Sequence, residues 1–129
     1  MSRPAYRTAP PPSTEIPGGV PYIVANEAAE RFSYYGMRTI LVVFMTKHLL
    51  DASGAPAPMA DAEARAWFHL FAGAVYFTPL LGAVLSDVFL GKYRTILALS
   101  TVYCAGHLAL AVDDTRIGLA TGLTLIAIG

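Results

Sequence analysis

Apolar stretches alternate with short polar breaks along the chain, and their lengths predict helices rather than strands. Residues 22–50 form the first stretch, polar in its first half and closing on ILVVFM at 40–45. Residues 63–89 and 93–112 form the second and third. Each is long enough to cross a hydrocarbon core of about 30 Å, which takes ~20 helical residues. The breaks carry turn chemistry. DASGAPAPMADA at 51–62 combines glycine, two prolines and aspartates, LGKYR at 90–94 is a short basic turn, and DDTR at 113–116 is a tight polar loop. Asp61 or a neighbour is expected to cap the second helix, and Pro79 to kink it, since proline removes a helix hydrogen bond. A fourth apolar run, residues 117–129, is only 13 residues long, short of a full span. The pattern predicts an N-terminal fragment of a longer all-α, polytopic membrane protein, with three helices and the start of a fourth.

The first 21 residues differ in kind. They hold six of the nine prolines and no apolar periodicity, so they read as an extended or disordered tail without the apolar core of a signal peptide. Basic residues set the orientation. Arg3, Arg7, Lys92 and Arg94 fall on one side, against Lys47, Arg65 and Arg116 on the other, where Asp51, Asp61, Asp113 and Asp114 also lie. The bias places the N-terminus in the cytoplasm.

Within the first helix the stretch NEAAERFSYYGMR, 26–38, breaks the apolar pattern with four charges. At about 100° per residue, Glu27, Glu30, Arg31, Tyr34, Tyr35 and Arg38 share one arc of the helix surface. A charge at the bilayer centre costs roughly 2.5–3.5 kcal/mol on insertion scales, so such a stripe must face a polar cavity with its carboxylates and guanidiniums paired. A packing network is the simpler explanation. Buried ion pairs bring little net stability over apolar side chains of similar volume, however, which favours a functional role. A shared Glu/Arg site also switches: protonating the carboxylate weakens its hold on arginine and frees the guanidinium for an anionic group. Ala29 and Gly36, on the rest of the helix, would allow close helix contact.

Composition supports the membrane assignment. Of 129 residues 55% are hydrophobic and 14% charged, and the mean hydropathy is +0.52. Formal net charge is zero, without the basic stripe that nucleic acid requires. The single cysteine, Cys104, excludes a disulfide framework or a cysteine-based metal site and reads as a small apolar filler. No zinc-ligand spacing, phosphate loop or nucleophile elbow is present, so neither a metal, a cofactor nor an enzymatic activity is expected. His69 and Tyr76 lie seven residues apart on one face of the second helix, with Gly73 between them. A lone histidine there is ordinarily a packing residue, and Tyr93, Tyr103 and His107 on the third helix read the same way.

ExxERFSYYGMR at 27–38 closely resembles the first-helix signature of the proton-dependent oligopeptide transporter (POT) family, a branch of the major facilitator superfamily. FHLFAGAVYFTPLLGAVLSDVFLGKYRTI at 68–96 and GLTLIAIG at 122–129 resemble the family's second helix and the start of its fourth. The resemblance implies a major-facilitator fold and a plasma-membrane symporter of di- and tripeptides, with the proton as coupling ion. Its partners would be small peptides, protons, the lipid bilayer and the remainder of the same chain. It further implies that Glu27, Glu30 and Arg31 couple the proton, joined by His69 as in animal members. Arg31 and Arg38 would hold the peptide carboxylate, and Tyr35 and Tyr76 would contact substrate. Asp87, Lys92 and Arg94 resemble the cytoplasmic charge motif that gates the superfamily, although Asp87 to Gly91 is one residue longer than the general spacing. Two alternatives remain open: a nitrate or other small-anion transporter of the same family, and a small membrane interaction or sensor protein.

Overall fold

The computed structural model describes residues 12–129. Four α-helices follow one another along the chain: α1 (Val20–Lys47), α2 (Asp61–Val84), α3 (Lys92–Val112) and α4 (Arg116–Ile128). The chain divides into two units at Met37/Arg38, within α1. The expected tail lies in part outside the described residues; from residue 12 the backbone is irregular until α1 begins at Val20, two residues before the expected start. The Val20 amide donates to the Pro17 carbonyl at 3.0 Å. Pro21 falls in the first turn, where its missing N–H leaves no helix bond unmade.

In the second unit, α1 turns Leu41 and Met45 inward, one helical turn apart. The chain then folds back on itself. Met45 accepts from the Met59 amide and Leu49 from the Ala57 amide, both at 2.8 Å, which buries Leu49 and Met59. Asp51 organises the tip: its Oδ1 accepts from the Ser53 amide (2.8 Å), the Ser53 hydroxyl (2.6 Å) and the Ala55 amide (3.0 Å). Gly54 takes φ +83°, a left-handed conformation that suits glycine. The Leu50 amide crosses to the Asp114 carbonyl at 2.9 Å, joining this loop to the one between α3 and α4.

The cap of α2 falls on the residue before Asp61. Ala60 is the N-cap and makes no side-chain bond, while Asp61 and Glu63 sit in the first turn. There their charge favours the positive end of the helix dipole. Pro79 lies inside α2. Beyond Val84 the winding changes, and Leu85–Leu90 form a π turn closed by the Gly91 amide on the Ser86 carbonyl at 3.0 Å. An i→i+5 bond encloses one more residue than an α turn. The turn thereby accommodates the extra residue noted between Asp87 and Gly91. Gly91, at φ +78°, starts α3, and the Thr95 hydroxyl bonds back to its carbonyl at 2.9 Å. The helix from Asp61 to Leu90 and α3 are each long and apolar enough to cross a membrane.

The helices α3 and α4 pack closely because glycine lines their contact. A Cβ on Gly106 would lie 2.7 Å from Ile126 Cγ1 and 2.9 Å from the Gly122 carbonyl, and one on Gly122 would lie 2.6 Å from Leu110 Cγ. Gly106 and Gly122 let the two backbones approach, as small residues do at helix contacts in membranes, while Gly118 packs against Asp113 at the end of α3. Leu119, Leu123 and Ile126 complete the buried face of α4. Thr115 caps α4 by accepting from the Gly118 amide at 3.3 Å, and Asp113 Oδ1 accepts from the Thr115 amide at 2.9 Å. Arg116 forms a bidentate pair with Glu63 of α2 at 2.5 and 3.2 Å. Cys104 is exposed on α3 rather than packed. Tyr103 is buried against His107, with ring centroids 4.6 Å apart.

Gly106→Ala is expected to destabilise the chain by roughly 1–3 kcal/mol, because well-packed neighbours must shift. Gly73→Ala, with open space around its Cβ, is expected to be neutral or to stabilise by ~0.5–1 kcal/mol. Thermal unfolding of the purified variants in detergent measures both.

The bonds to Asp51 also set a pH dependence. The Ser53 hydroxyl, followed by the Ala55 and Ser53 amides, holds the Asp51 carboxyl below its ordinary value. The folded-state pKa is therefore the lower one, so the contribution to loop stability is fully present above the ordinary carboxylate range near ~4. It is lost as pH falls through the depressed folded value. Hydrogen-exchange protection of the Ser53 and Ala55 amides, corrected for intrinsic rates, is expected to hold steady down to about pH 4 and fall below it.

Candidate functional site

The charged stripe is carried by α1. In the first unit Glu27 and Arg31, one turn apart, form an ion pair: Nε and Nη2 of Arg31 reach Oε1 of Glu27 at 3.0 and 2.9 Å. Glutamate preceding its cation by four residues is the favourable order on a helix. Tyr35, a further turn along, also interacts with the Arg31 guanidinium. The rings of Tyr34 and Tyr35 meet edge-on, 5.5 Å between centroids. Glu30 follows Glu27 along the helix, and its backbone carbonyl accepts from the Ser33 hydroxyl at 2.8 Å. Glu27, Arg31 and Tyr35 are thus one local cluster in which a carboxylate engages two of a guanidinium's donors.

The second unit holds the other arginine. Arg38 makes no ion pair among the described residues, and its Cζ sits over the Phe68 ring of α2, 5.2 Å from the centroid. The same ring meets His69 edge-on at 5.8 Å. His69, Gly73 and Tyr76 then run along α2 at offsets of four and seven, all exposed, and nothing lies within 4 Å of a Cβ at Gly73. Open space thus lies beside the helix between an imidazole and a phenol. Phe68 itself carries no signal in the sequence, because its contact with Arg38 depends on the register between two helices. The inward face of α2 does have a periodic signature, through Ala64 and Phe71 at spacing seven.

Asp87 lies in the π turn, and Lys92 and Arg94 in the first turn of α3; all three are exposed. Among the described residues no ion pair joins Asp87 to either base. Nor do three His, Cys, Asp or Glu side chains among them converge as a metal site would need.

No family model matches the chain. Relatives are nonetheless extensive. The chain is 41% identical over 125 residues to "Peptide transporter family 1" of Drosophila melanogaster, a match covering 92% of this chain and 16% of that protein. It is 41% identical over 93 residues to "Solute carrier family 15 member 1" of Homo sapiens, covering 72% of this chain and 12% of the relative. Among solved structures, the POT family transporter PepTSo superposes with a TM-score of 0.76 at 46% identity, over 88% of this chain and 22% of that one. An auto-inhibited POT family peptide transporter gives 0.75 at 50% identity, over 87% and 22%. The chain spans about one-sixth of the length of the curated relatives it matches most fully. With its apolar helices and charged first helix superposing on transporters at such identity, the chain belongs to the POT family and forms part of its major-facilitator fold.

Proposed function

We propose that the chain is part of a proton-coupled symporter that imports di- and tripeptides across the plasma membrane. In this reading residues 1–21 are a cytoplasmic tail and residues 22–129 part of the transporter domain. The observation that carries it is the Glu27–Arg31 pair, in a chain whose relatives bear the names of peptide transporters. While Glu27 is ionised it occupies donors of Arg31. Proton uptake removes the negative charge, and the charge-assisted bonds weaken. Arg31 is then free to take a peptide carboxylate, a group that the planar donor fork of Arg38 also suits. Loss of the proton on the cytoplasmic side restores the pair and expels the carboxylate, so the two fluxes are tied to one interaction.

Glu30 and His69 share the proton-coupling role, and Tyr35 and Tyr76 contact the bound peptide. Asp87, Lys92 and Arg94 act at the cytoplasmic end, where a charge network in a closed conformation would hold the helices together. The remainder of the transporter supplies the opposite half of the cavity and the groups for the peptide's amino end.

Uptake of a labelled dipeptide by a complete transporter carrying this segment is expected to depend on an inward proton gradient and to be competed by dipeptides. Competition by nitrate alone would favour anion transport instead. Arg38→Lys, which keeps the charge but loses the planar fork, is expected to weaken apparent dipeptide affinity about tenfold, ~1.4 kcal/mol. Glu27→Gln is expected to retain dipeptide exchange across the membrane while losing proton-driven accumulation. His69→Ala should lower accumulation; a normal gradient-driven level would return His69 to a packing role.

A further inference from the structure

We propose that Phe68 is a positioning residue for the carboxylate-binding arginine: its ring holds the Arg38 guanidinium in place while leaving the donor fork available to substrate. The inference rests on the assignment of Arg38 to the peptide carboxylate. The two arginines of α1 are compensated differently. Arg31 spends Nε and Nη2 on Glu27. Arg38 is half-buried, has no ion-pair partner among the described residues, and rests over the half-buried Phe68 ring, 5.2 Å from centroid to Cζ.

A cation over an aromatic face is attracted by the ring quadrupole and needs no acceptor atom. A carboxylate partner would fix the guanidinium equally well, but it would occupy the N–H groups that a peptide carboxylate requires and would have to be displaced at every binding event. An aromatic ring avoids that competition. It also narrows the positions of a long, flexible side chain before substrate arrives, and such pre-organisation lowers the ordering cost of binding. The neighbouring His69 meets the same ring edge-on, so the ring also fixes the flank of the open space beside Gly73.

The test uses a complete transporter carrying this segment, purified in detergent, with alanyl-alanine as the probe. Phe68→Leu keeps an apolar side chain but removes the π face and is expected to weaken alanyl-alanine binding about three- to tenfold, the scale of a cation–π contact. Phe68→Tyr keeps the face and is expected to bind within about twofold of the unmodified protein. Equal losses in the two variants, or none in either, would overturn the proposal. A double-mutant cycle on thermal unfolding, with Phe68→Leu and Arg38→Gln, reads the contact without any substrate. Non-additive shifts are expected, and additive shifts overturn the proposal. If the unmodified protein binds no dipeptide, peptide transport is refuted as the function, and the unfolding cycle still decides whether the ring holds the arginine.

Discussion

A guanidinium carried by a helix in hydrocarbon cannot be left uncompensated, and the group that compensates it determines what it can still bind. The two arginines of α1 are compensated differently. Arg31 is paired with Glu27, and in the proposed mechanism that pairing ties its availability to a proton. Arg38 is compensated by an aromatic face, a partner that does not titrate, so its donors stay available. In the proposed mechanism one helix thus carries a switched cation and a standing one, whereas a site made only of standing cations would bind anions without regard to the proton.

The remainder of the fold keeps these groups in register. The second helix brings Phe68 to Arg38, and its position is tied at the loop end by backbone bonds from the Met59 and Ala57 amides to Met45 and Leu49. The bidentate Glu63–Arg116 contact joins the first turns of α2 and α4. An exposed ion pair of this kind is worth at most about 1 kcal/mol, so it fixes alignment more than stability. Attraction along α3 and α4 comes from close backbone approach at Gly106 and Gly122. Lipid is as apolar as the helices, so dispersion at short range substitutes for the hydrophobic effect. At the opposite end of α2 the π turn through Asp87 accommodates an added residue without interrupting the helix before Gly91.

Much of this was legible in the sequence because it depends on local spacing. Every helix falls within a few residues of the span drawn from apolar runs, and the Glu27–Arg31 contact follows from a separation of four. What depends on contact between helices was not legible. Phe68 is one aromatic among several until its position against Arg38 is known. Gly106 and Gly122 resemble any glycines of an apolar helix until the close approach of α3 and α4 is known. Asp61 looked like a cap because an acid at a helix start commonly is one. The chain enters α2 one residue earlier, at Ala60, and leaves Asp61 to act through the helix dipole.

In the proposed mechanism proton and substrate binding are coupled through one carboxylate–guanidinium pair, Glu27 and Arg31. Calorimetric titration of a complete transporter carrying this segment with alanyl-alanine, repeated in buffers of different ionisation enthalpy, measures the protons exchanged on binding. Net proton uptake that is reduced in Glu27→Gln is the predicted result. Dipeptide binding with no proton exchange in any buffer, or uptake undiminished in that variant, would contradict the account.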